Sequence, residues 1–220
     1  MKLVDQTPDS FESVDREATV VLVPIAGVRS FGAHLTLGAG LRLVDAVGAR
    51  ADEELGTQIL TAPVLPHSAA PGELFHHLVR EGFRRFFFLL DSQPFGGVAL
   101  ASLAKIKLAS PNLSLAVASV HQLTGAEGGT DESAVLTSIL LYIAPDEVDG
   151  RLLRADSLSS VPPMPFLISL PDELSADGFP GDPTGSSVEA GRELFERACQ
   201  TLSEQIRSQA GPYVFTESRK

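Results

Sequence analysis

Four side chains capable of acid–base or ionic chemistry lie in loops that follow apolar runs of this chain. They are Arg29, Asp91, His121 and Asp131. In an open α/β sheet the functional site lies at the carboxyl ends of the strands, so chemistry is expected in these loops. An imidazole or a carboxylate there would act as general acid or base, and a guanidinium would orient a carboxylate or stabilise an oxyanion. These four residues are the candidate catalytic groups.

Four apolar runs of strand length would form the sheet that carries these loops. They are rich in β-branched or aromatic residues and alternate with segments of helical period, which is typical of a mainly parallel sheet covered on both faces. The predicted strands are residues 19–25, 58–64, 84–90 and 114–120, and the predicted helices are residues 40–52, 72–81, 97–109 and 132–144. The fold class is therefore α/β, a three-layer α/β/α sandwich with a mainly parallel central sheet.

The remainder of the chain predicts a surface excursion and a closing helix. Residues 149–187 contain several Pro and Gly and predict an ordered excursion with one short strand, residues 166–170. Ser186 and Glu189 have capping-box spacing and predict the start of a long amphipathic helix. We expect a single domain, residues 1–220, with flexible termini at residues 1–17 and 211–220.

Charge and composition argue against several classes of partner. The formal net charge is -11 at pH 7, whereas nucleic acids and anionic membranes are bound by clustered Lys and Arg. No apolar run reaches the length of a membrane span, and the polar, acidic first residues do not resemble a signal peptide, so a cytoplasmic protein is expected. Cys199 is the single cysteine, so the chain can form neither an internal disulfide nor a multi-thiolate metal site.

Four sequence blocks, in order, resemble the motifs of the creatininase family. VPIAGVRSFGAHLTLGAG, at residues 23–40, is similar to the family's opening V-P-I-G-S-x-E-Q-H-G-P-H-L-P-L-G-T-D. GFRRFFFLLDSQPFGGVAL, at residues 82–100, resembles G-F-R-x-V-x-x-V-N-G-H-G-G-N. Residues 131–149 and 175–196 resemble the family's third motif and the G-D-P-T segment that opens its last helix. The resemblance implies the family's fold, its tendency to form homo-oligomers, and an amidohydrolase that uses two divalent metal ions.

The chain departs from the family at the positions that hold the metals. The family's ligands are Glu, His and Asp in the first motif, His in the second and Glu in the third. In this chain the Glu, His and Asp positions of the first motif hold Arg29, Phe31 and Gly40. The His position of the second motif holds Ser92 or Gln93, since the register leaves both open. In the third motif the opening His is Asp131, and the Glu positions hold Ala134 and Leu136. A guanidinium cannot deprotonate to bind a cation, so we expect no metal and no other cofactor at this site.

The other polar residues of the expected cleft have structural interpretations that compete with functional ones. His34 fits a buried histidine bonded to backbone, and Asp131 fits an N-cap with Glu132 in the first helical turn. Arg29 either binds a carboxylate ligand or forms a salt bridge to Asp91 or Asp131 that fills an abandoned site. The residues expected to line the cleft are Phe31, His34, Gly40, Ser92, Gln93, Glu132, Ala134 and Leu136.

Three functions remain open from the sequence. The first is a creatininase-like protein without metals that acts as a binding or assembly partner, either as a homo-oligomer or with a paralogue. The second is a metal-independent enzyme that acts on a small amide, lactam or cyclic intermediate in the same cleft. The third is a hydrolase with a relocated metal bound by His121, Asp91 and Asp131. A cleft filled by Phe31, Phe95 and Leu136 would favour the first of these, and a small-molecule ligand is compatible with each.

Overall fold

A parallel sheet runs through the centre of the computed structural model. The structure describes residues 1–67, 72–92, 96–126, 131–156 and 181–210, with backbone alone for residues 96–100 and 210. The strands are β1 (Val20–Ala26), β2 (Ile59–Thr61), β3 (Leu65–Pro66), β4 (Arg85–Leu90) and β5 (Ser114–Ser119). Their order is β2-β1-β4-β5, and β3 pairs with β1 beyond the end of β2. Every pairing is parallel, so the carboxyl ends of the strands lie at one edge of the sheet.

Helices cover both faces of this sheet. They are α1 (Pro8–Glu12), α2 (Ala39–Leu55), α3 (Gly72–Arg80), α4 (Gly96–Ala109), α5 (Val120–Leu123), α6 (Glu132–Ile143) and α7 (Val188–Ala210). Alternate residues of a strand point to opposite faces. Leu22 and Phe87 accordingly join a cluster with apolar residues of α2, α6 and α7, while Val23 and Phe88 join a second cluster with residues of α3 and α4. The three-layer α/β/α fold predicted from the sequence is confirmed.

The strand and helix positions follow the predicted ones, with three differences. The second predicted strand, residues 58–64, is two short strands, β2 and β3, that pair with successive parts of β1. Helix α7 is capped by Ser187, whose Oγ accepts a hydrogen bond from Ala190 N at 3.1 Å, and not by Ser186. Ser186 Oγ instead donates to the carbonyl of Ala134 at 3.1 Å, which ties the start of α7 to α6.

The predicted short strand at residues 166–170 and the tail from residue 211 lie outside the described residues.

The third difference concerns the N-terminal segment. Residues 1–17 do not form the flexible terminus that the sequence suggested, since Lys2 bridges to Thr61 and α1 packs on the sheet. The Phe11 ring lies 5.8 Å from that of Phe83, and Val14 is 8 % exposed. Phe11 and Val14 are three residues apart, so both side chains lie on the side of the segment that packs on the sheet. Among the described residues, no helix combines the length and apolar composition that crossing a membrane requires.

Helices α6 and α7 approach so closely that only glycine fits at their crossing. A Cβ added to Gly191 would lie 1.8 Å from the carbonyl oxygen of Ser138. We expect Gly191→Ala to lower the free energy of unfolding by about 3 kcal/mol, because the two helix backbones would have to separate. Urea denaturation would measure this change. Gly150→Ala, where an added Cβ meets nothing within 4 Å, is the control. Equal stability of the two variants would contradict this account of the crossing.

Candidate functional site

Three neighbouring strands deliver polar groups to one point at the carboxyl edge of the sheet. Asp91 directly follows β4, His67 directly follows β3, and Gly27 directly follows β1, which lies between them. Ala26 pairs with Pro66 and Ile25 with Leu90, so the residues that come next in each strand are neighbours. This edge is where ligand sites of open α/β sheets are found.

Asp91 is the centre of a buried hydrogen-bond cluster. Its side chain is fully buried, and its Oδ2 accepts from the backbone N–H of Gly27 at 3.1 Å. Its Oδ1 lies 3.1 Å from Nε2 of His67 and 3.3 Å from Oγ of Ser92, which donates to it. Three contacts from three different segments therefore hold this carboxylate. The salt bridge from Arg29 to Asp91 or Asp131 that the sequence left open does not occur among the ion pairs of the described residues.

Arg29 instead joins the cluster through Ser92. Its Nη2 donates to Ser92 Oγ at 2.5 Å, and its guanidinium carbon lies 4.0 Å from the centroid of the Phe31 ring. The backbone N–H of Arg29 donates to the carbonyl of Leu37 at 3.1 Å, which folds the loop after β1 back on itself. A cation stacked on an aromatic face and bonded to a hydroxyl has a defined place without a metal or a ligand. Gln93, the other register alternative, lies outside the described residues.

The Phe31 ring fills the space beside Asp91. Phe31 is 2 % exposed and belongs to the same core cluster as Leu136, which is also buried. A Cβ added to Gly40 would lie 2.9 Å from the Phe31 ring and 2.7 Å from Asp91 Oδ2. No side chain can therefore project from position 40 in this arrangement. The Phe31 ring and the Gly40 backbone thus pack against each other beside Asp91.

His34 is buried, as expected, and its ring contacts a side chain of α6. Its Nε2 lies 2.7 Å from Oγ1 of Thr137, on α6, and both residues are almost inaccessible to solvent. The carbonyl of His34 accepts from Asp149 N at 2.8 Å. His34 therefore joins the loop after β1 to α6 and to the segment that follows α6.

Residues 131–136 serve the start of α6. Asp131 is the N-cap, since its Oδ1 accepts from Ser133 N at 2.8 Å, and its Oδ2 also accepts from Asp182 N. Glu132 lies in the first turn of the helix, where a carboxylate is favoured by the helix dipole. Ala134 contributes a backbone acceptor for Ser138 and Ser186. The N-cap interpretation of Asp131 therefore describes its contacts, and the catalytic one has no support from them.

His121 is the histidine of the relocated metal site that the sequence left open. His121 follows β5 within α5 and is 7 % exposed. Among the described residues there is no group of three or more His, Cys, Asp and Glu side chains arranged to hold a metal ion. The structure therefore does not bring His121, Asp91 and Asp131 together as a ligand set.

Cys199 does not extend the chemistry of the site. It lies in the core on α7, and burial, assisted by the nearby carboxylates of Glu196 and Glu54, raises the pKa of its thiol to about 12. A thiol with this pKa carries almost no thiolate at neutral pH and is a poor nucleophile.

His67 is the site residue that sequence reasoning missed. As a loop histidine it is not among the candidates predicted from the sequence, where the second strand ends at residue 64. The second strand in fact continues as β3 to Pro66, so His67 is the first residue beyond a strand end, in register with Gly27. The same rule that selected Asp91 would have selected His67 had the end of β3 been recognised.

The whole arrangement was compared with proteins of known sequence and structure. No protein-family profile and no curated protein sequence matches this chain. Solved structures do match. The structure named “Creatininase Mn” is 19% identical, with a TM-score of 0.75, over 96% of this chain and 99% of its own. The chain has the creatininase fold. A mutant creatininase complexed with creatine is also 19% identical, with a TM-score of 0.72 and the same coverage. A creatinine amidohydrolase (creatininase) is 19% identical, with a TM-score of 0.75, over 96% of this chain and 98% of its own.

The residues in contact at the strand ends include positions from the motifs that resemble the creatininase family. Arg29, Phe31, Gly40 and Ser92 come from two of the motifs that resemble the creatininase family and are linked to each other by direct contacts. We call these four residues, together with Asp91 and His67, the strand-end cluster. It contains one guanidinium, one carboxylate, one imidazole and one hydroxyl, and an aromatic ring fills the space between the guanidinium and position 40.

Proposed function

We propose that this chain is a creatininase-fold protein without a two-metal site, which serves as a binding or assembly partner. The observation that carries the proposal is the position of the Arg29 guanidinium, bonded to Ser92 and stacked on Phe31. These are positions at which the resemblance implies metal ligands. Side chains of the cluster itself thus hold the guanidinium in place.

Electrostatics supports this proposal. A pair of divalent ions brings about four positive charges, which carboxylates and neutral imidazoles must balance at coordination distance. The strand-end cluster offers one carboxylate, Asp91, and its oxygens already face Gly27 N, His67 and Ser92. The neighbouring Arg29 is positively charged at all physiological pH values and would repel an ion.

The surface around the cluster supports a role in protein contacts. The loop that carries Arg29 also contains Val28 and Leu37, which are 71% and 57% exposed. The hydrogen bond from Arg29 N to Leu37 O joins the two sides of this loop. Two strongly exposed apolar side chains in one loop are compatible with a protein interface. A homo-oligomer or an assembly with a paralogue would cover them.

Metal analysis tests the proposal directly. We expect the purified protein to retain far less than one equivalent of manganese, zinc or iron after incubation with each metal and removal of the excess. Elemental analysis by mass spectrometry would measure the content, and a metal-dependent creatininase treated in parallel would show that the procedure preserves a bound metal. One or two equivalents of metal per chain would refute the metal-free site. That result would also revive the relocated-metal hydrolase.

A second function, a metal-independent enzyme, is favoured by a different observation. Asp91 and His67 form an imidazole–carboxylate pair, and the His67 side chain is 17% exposed while Asp91 is inaccessible. A buried carboxylate that orients a partly exposed imidazole is an arrangement used in general acid–base catalysis. Arg29 would orient the substrate, a small amide, lactam or cyclic intermediate.

The two functions differ in what a chelator and one substitution do. Turnover of a lactam or cyclic amide such as creatinine in the presence of EDTA, lost in His67→Gln, would favour the enzyme. His77→Gln is the matched control, because His77 is an exposed histidine on α3. Absence of turnover across a panel of small amides and lactams, together with a defined oligomer or paralogue complex by light scattering, would favour the binding partner.

A further inference from the structure

A second polar site lies at the opposite edge of the sheet, where the strands begin. A cavity of about 220 Å³ opens there, and it is lined by Glu17, Arg84, Arg85, Lys107, Asn112, Leu113 and Ser114. Arg85 and Ser114 are paired first residues of β4 and β5. The volume is below the roughly 300 Å³ at which pockets for drug-sized ligands begin. The cavity therefore suits a small group.

Three cations line this cavity although the chain is strongly acidic. Arg84 donates from Nη1 to the carbonyls of Val79 and Phe83, at 2.8 and 2.9 Å. Arg85 donates from Nη1 to the carbonyl of Gln209 at 2.8 Å. These bonds position each guanidinium and leave most of its five N–H donors for other partners. Among the described residues no carboxylate forms an ion pair with Arg84 or Arg85.

Lys107 is held at the same place from α4. Its Nζ donates to the carbonyl of Pro111 at 2.7 Å and to that of Leu113. Both carbonyls belong to the turn that leads into β5, so the ammonium is fixed beside the first residue of that strand. Cations brought together from β4 and α4 repel one another, and an anion between them would remove that repulsion.

A buried hydroxyl adds a second kind of donor. Ser114 is only 9% exposed and lines the cavity. Its Oγ accepts from Gln209 Nε2 at a long 3.4 Å, so its own proton remains available to a ligand. Asn112 presents an exposed amide at the rim. Glu17, which is also exposed, is the acidic member of the lining.

We propose that this cavity binds the phosphate group of a small molecule, or inorganic phosphate itself. Guanidinium and ammonium groups together with a hydroxyl provide charge-assisted donors from several directions, which matches a tetrahedral dianion better than a planar carboxylate. The site is separate from the strand-end cluster, because the two lie at opposite ends of the same strands. It is independent of the proposed function and would stand whichever of the two functions holds.

Calorimetric titration of the whole chain with inorganic phosphate, and in parallel with glycerol 3-phosphate, tests the proposal. We expect one phosphate per chain, with affinity that falls as salt is raised. Tighter binding of the ester than of inorganic phosphate would identify a phosphorylated metabolite as the ligand, and the reverse would identify free phosphate. Acetate, the carboxylate probe, is expected to bind far more weakly than either.

Substitutions of opposite sign make the test specific to this cavity. Glu17→Gln removes the rim carboxylate and is expected to tighten phosphate binding about threefold to fivefold, whereas Asn112→Asp is expected to weaken it by a similar factor. Both residues are exposed, so neither variant should disturb folding. Lys107→Met removes a donor and is expected to weaken binding at least about tenfold.

Arg80→Gln is the matched control, since it removes an exposed cation of α3 outside the cavity lining. It should leave the phosphate affinity unchanged. Three results would each overturn the proposal. They are absence of saturable phosphate binding, equal effects of Lys107→Met and Arg80→Gln, and a change of the same sign in Glu17→Gln and Asn112→Asp.

Discussion

Replacing Asp91 by alanine is expected to lower the free energy of unfolding by about 3–5 kcal/mol, because three polar groups lose their acceptor at a cost of about 1–3 kcal/mol each. The substitution leaves Gly27 N and Ser92 Oγ without their acceptor and His67 without its carboxylate. Because these groups come from three segments, their reorganisation cannot be local. Urea denaturation followed by circular dichroism would measure the loss.

Two comparisons separate the hydrogen bonds of Asp91 from its charge. Asp91→Asn keeps one acceptor oxygen and is expected to lose about 1–3 kcal/mol, because its amide must face either the Gly27 N–H or His67. Asp45→Asn alters an exposed carboxylate on α2 and should stay within about 0.5 kcal/mol of the parent. If Asp91→Ala were as stable as Asp45→Asn, the cluster would not be the structural centre of this edge.

The second large effect is expected at Phe31. Phe31→Ala should cost about 3–5 kcal/mol, because it leaves a cavity beside α2 and removes the surface on which Arg29 is stacked. Leu37→Ala, in the same loop but 57% exposed, should have almost no effect and is the matched control. Thermal or urea unfolding of both variants would give the comparison.

A double-mutant cycle links this ring to position 40. Gly40→Ala alone is expected to cost about 1–3 kcal/mol, since the new Cβ meets the Phe31 ring and Asp91 Oδ2. In the Phe31→Ala background the ring is absent, so the cost of Gly40→Ala should fall by at least about 0.5 kcal/mol. Strict additivity of the two changes would mean that the ring does not occupy the space over Gly40, and one support for the proposed metal-free site would be lost.

The stability effects expected at Asp91 and Phe31 also distinguish between the two proposed functions. A cluster that contributes several kcal/mol to folding is consistent with a site retained as structure, which is what the assembly proposal requires. A cluster that contributed little would resemble the strained or destabilised sites that enzymes maintain for catalysis. The stability measurements and the turnover assay with EDTA therefore test the two proposed functions from different sides.

The sheet and its covering helices could be predicted from the sequence because they depend on local signals. Runs such as VVLVPIA and RFFFLL are buried on both faces, so they are apolar throughout and stand out from the amphipathic segments between them. The division of the second strand into β2 and β3 could not be predicted. It depends on the register of pairing with β1, because β2 pairs with residues 20–22 of that strand and β3 with residues 25–26.

The candidate site was predictable only in part, and the reason is sequence distance. The sequence by itself determined the α/β class and the loops in which Arg29 and Asp91 lie, because these are matters of residue type and local pattern. The resemblance added the proposal that Phe31 and Gly40 stand at positions of metal ligands. The tertiary structure decided the partners. His67 meets Asp91 across 24 residues, Arg29 meets Ser92 across 63, and His34 meets Thr137 across 103. Such contacts follow from parallel register and from the packing of α6 against α2 and α7, and neither leaves a local trace in the sequence.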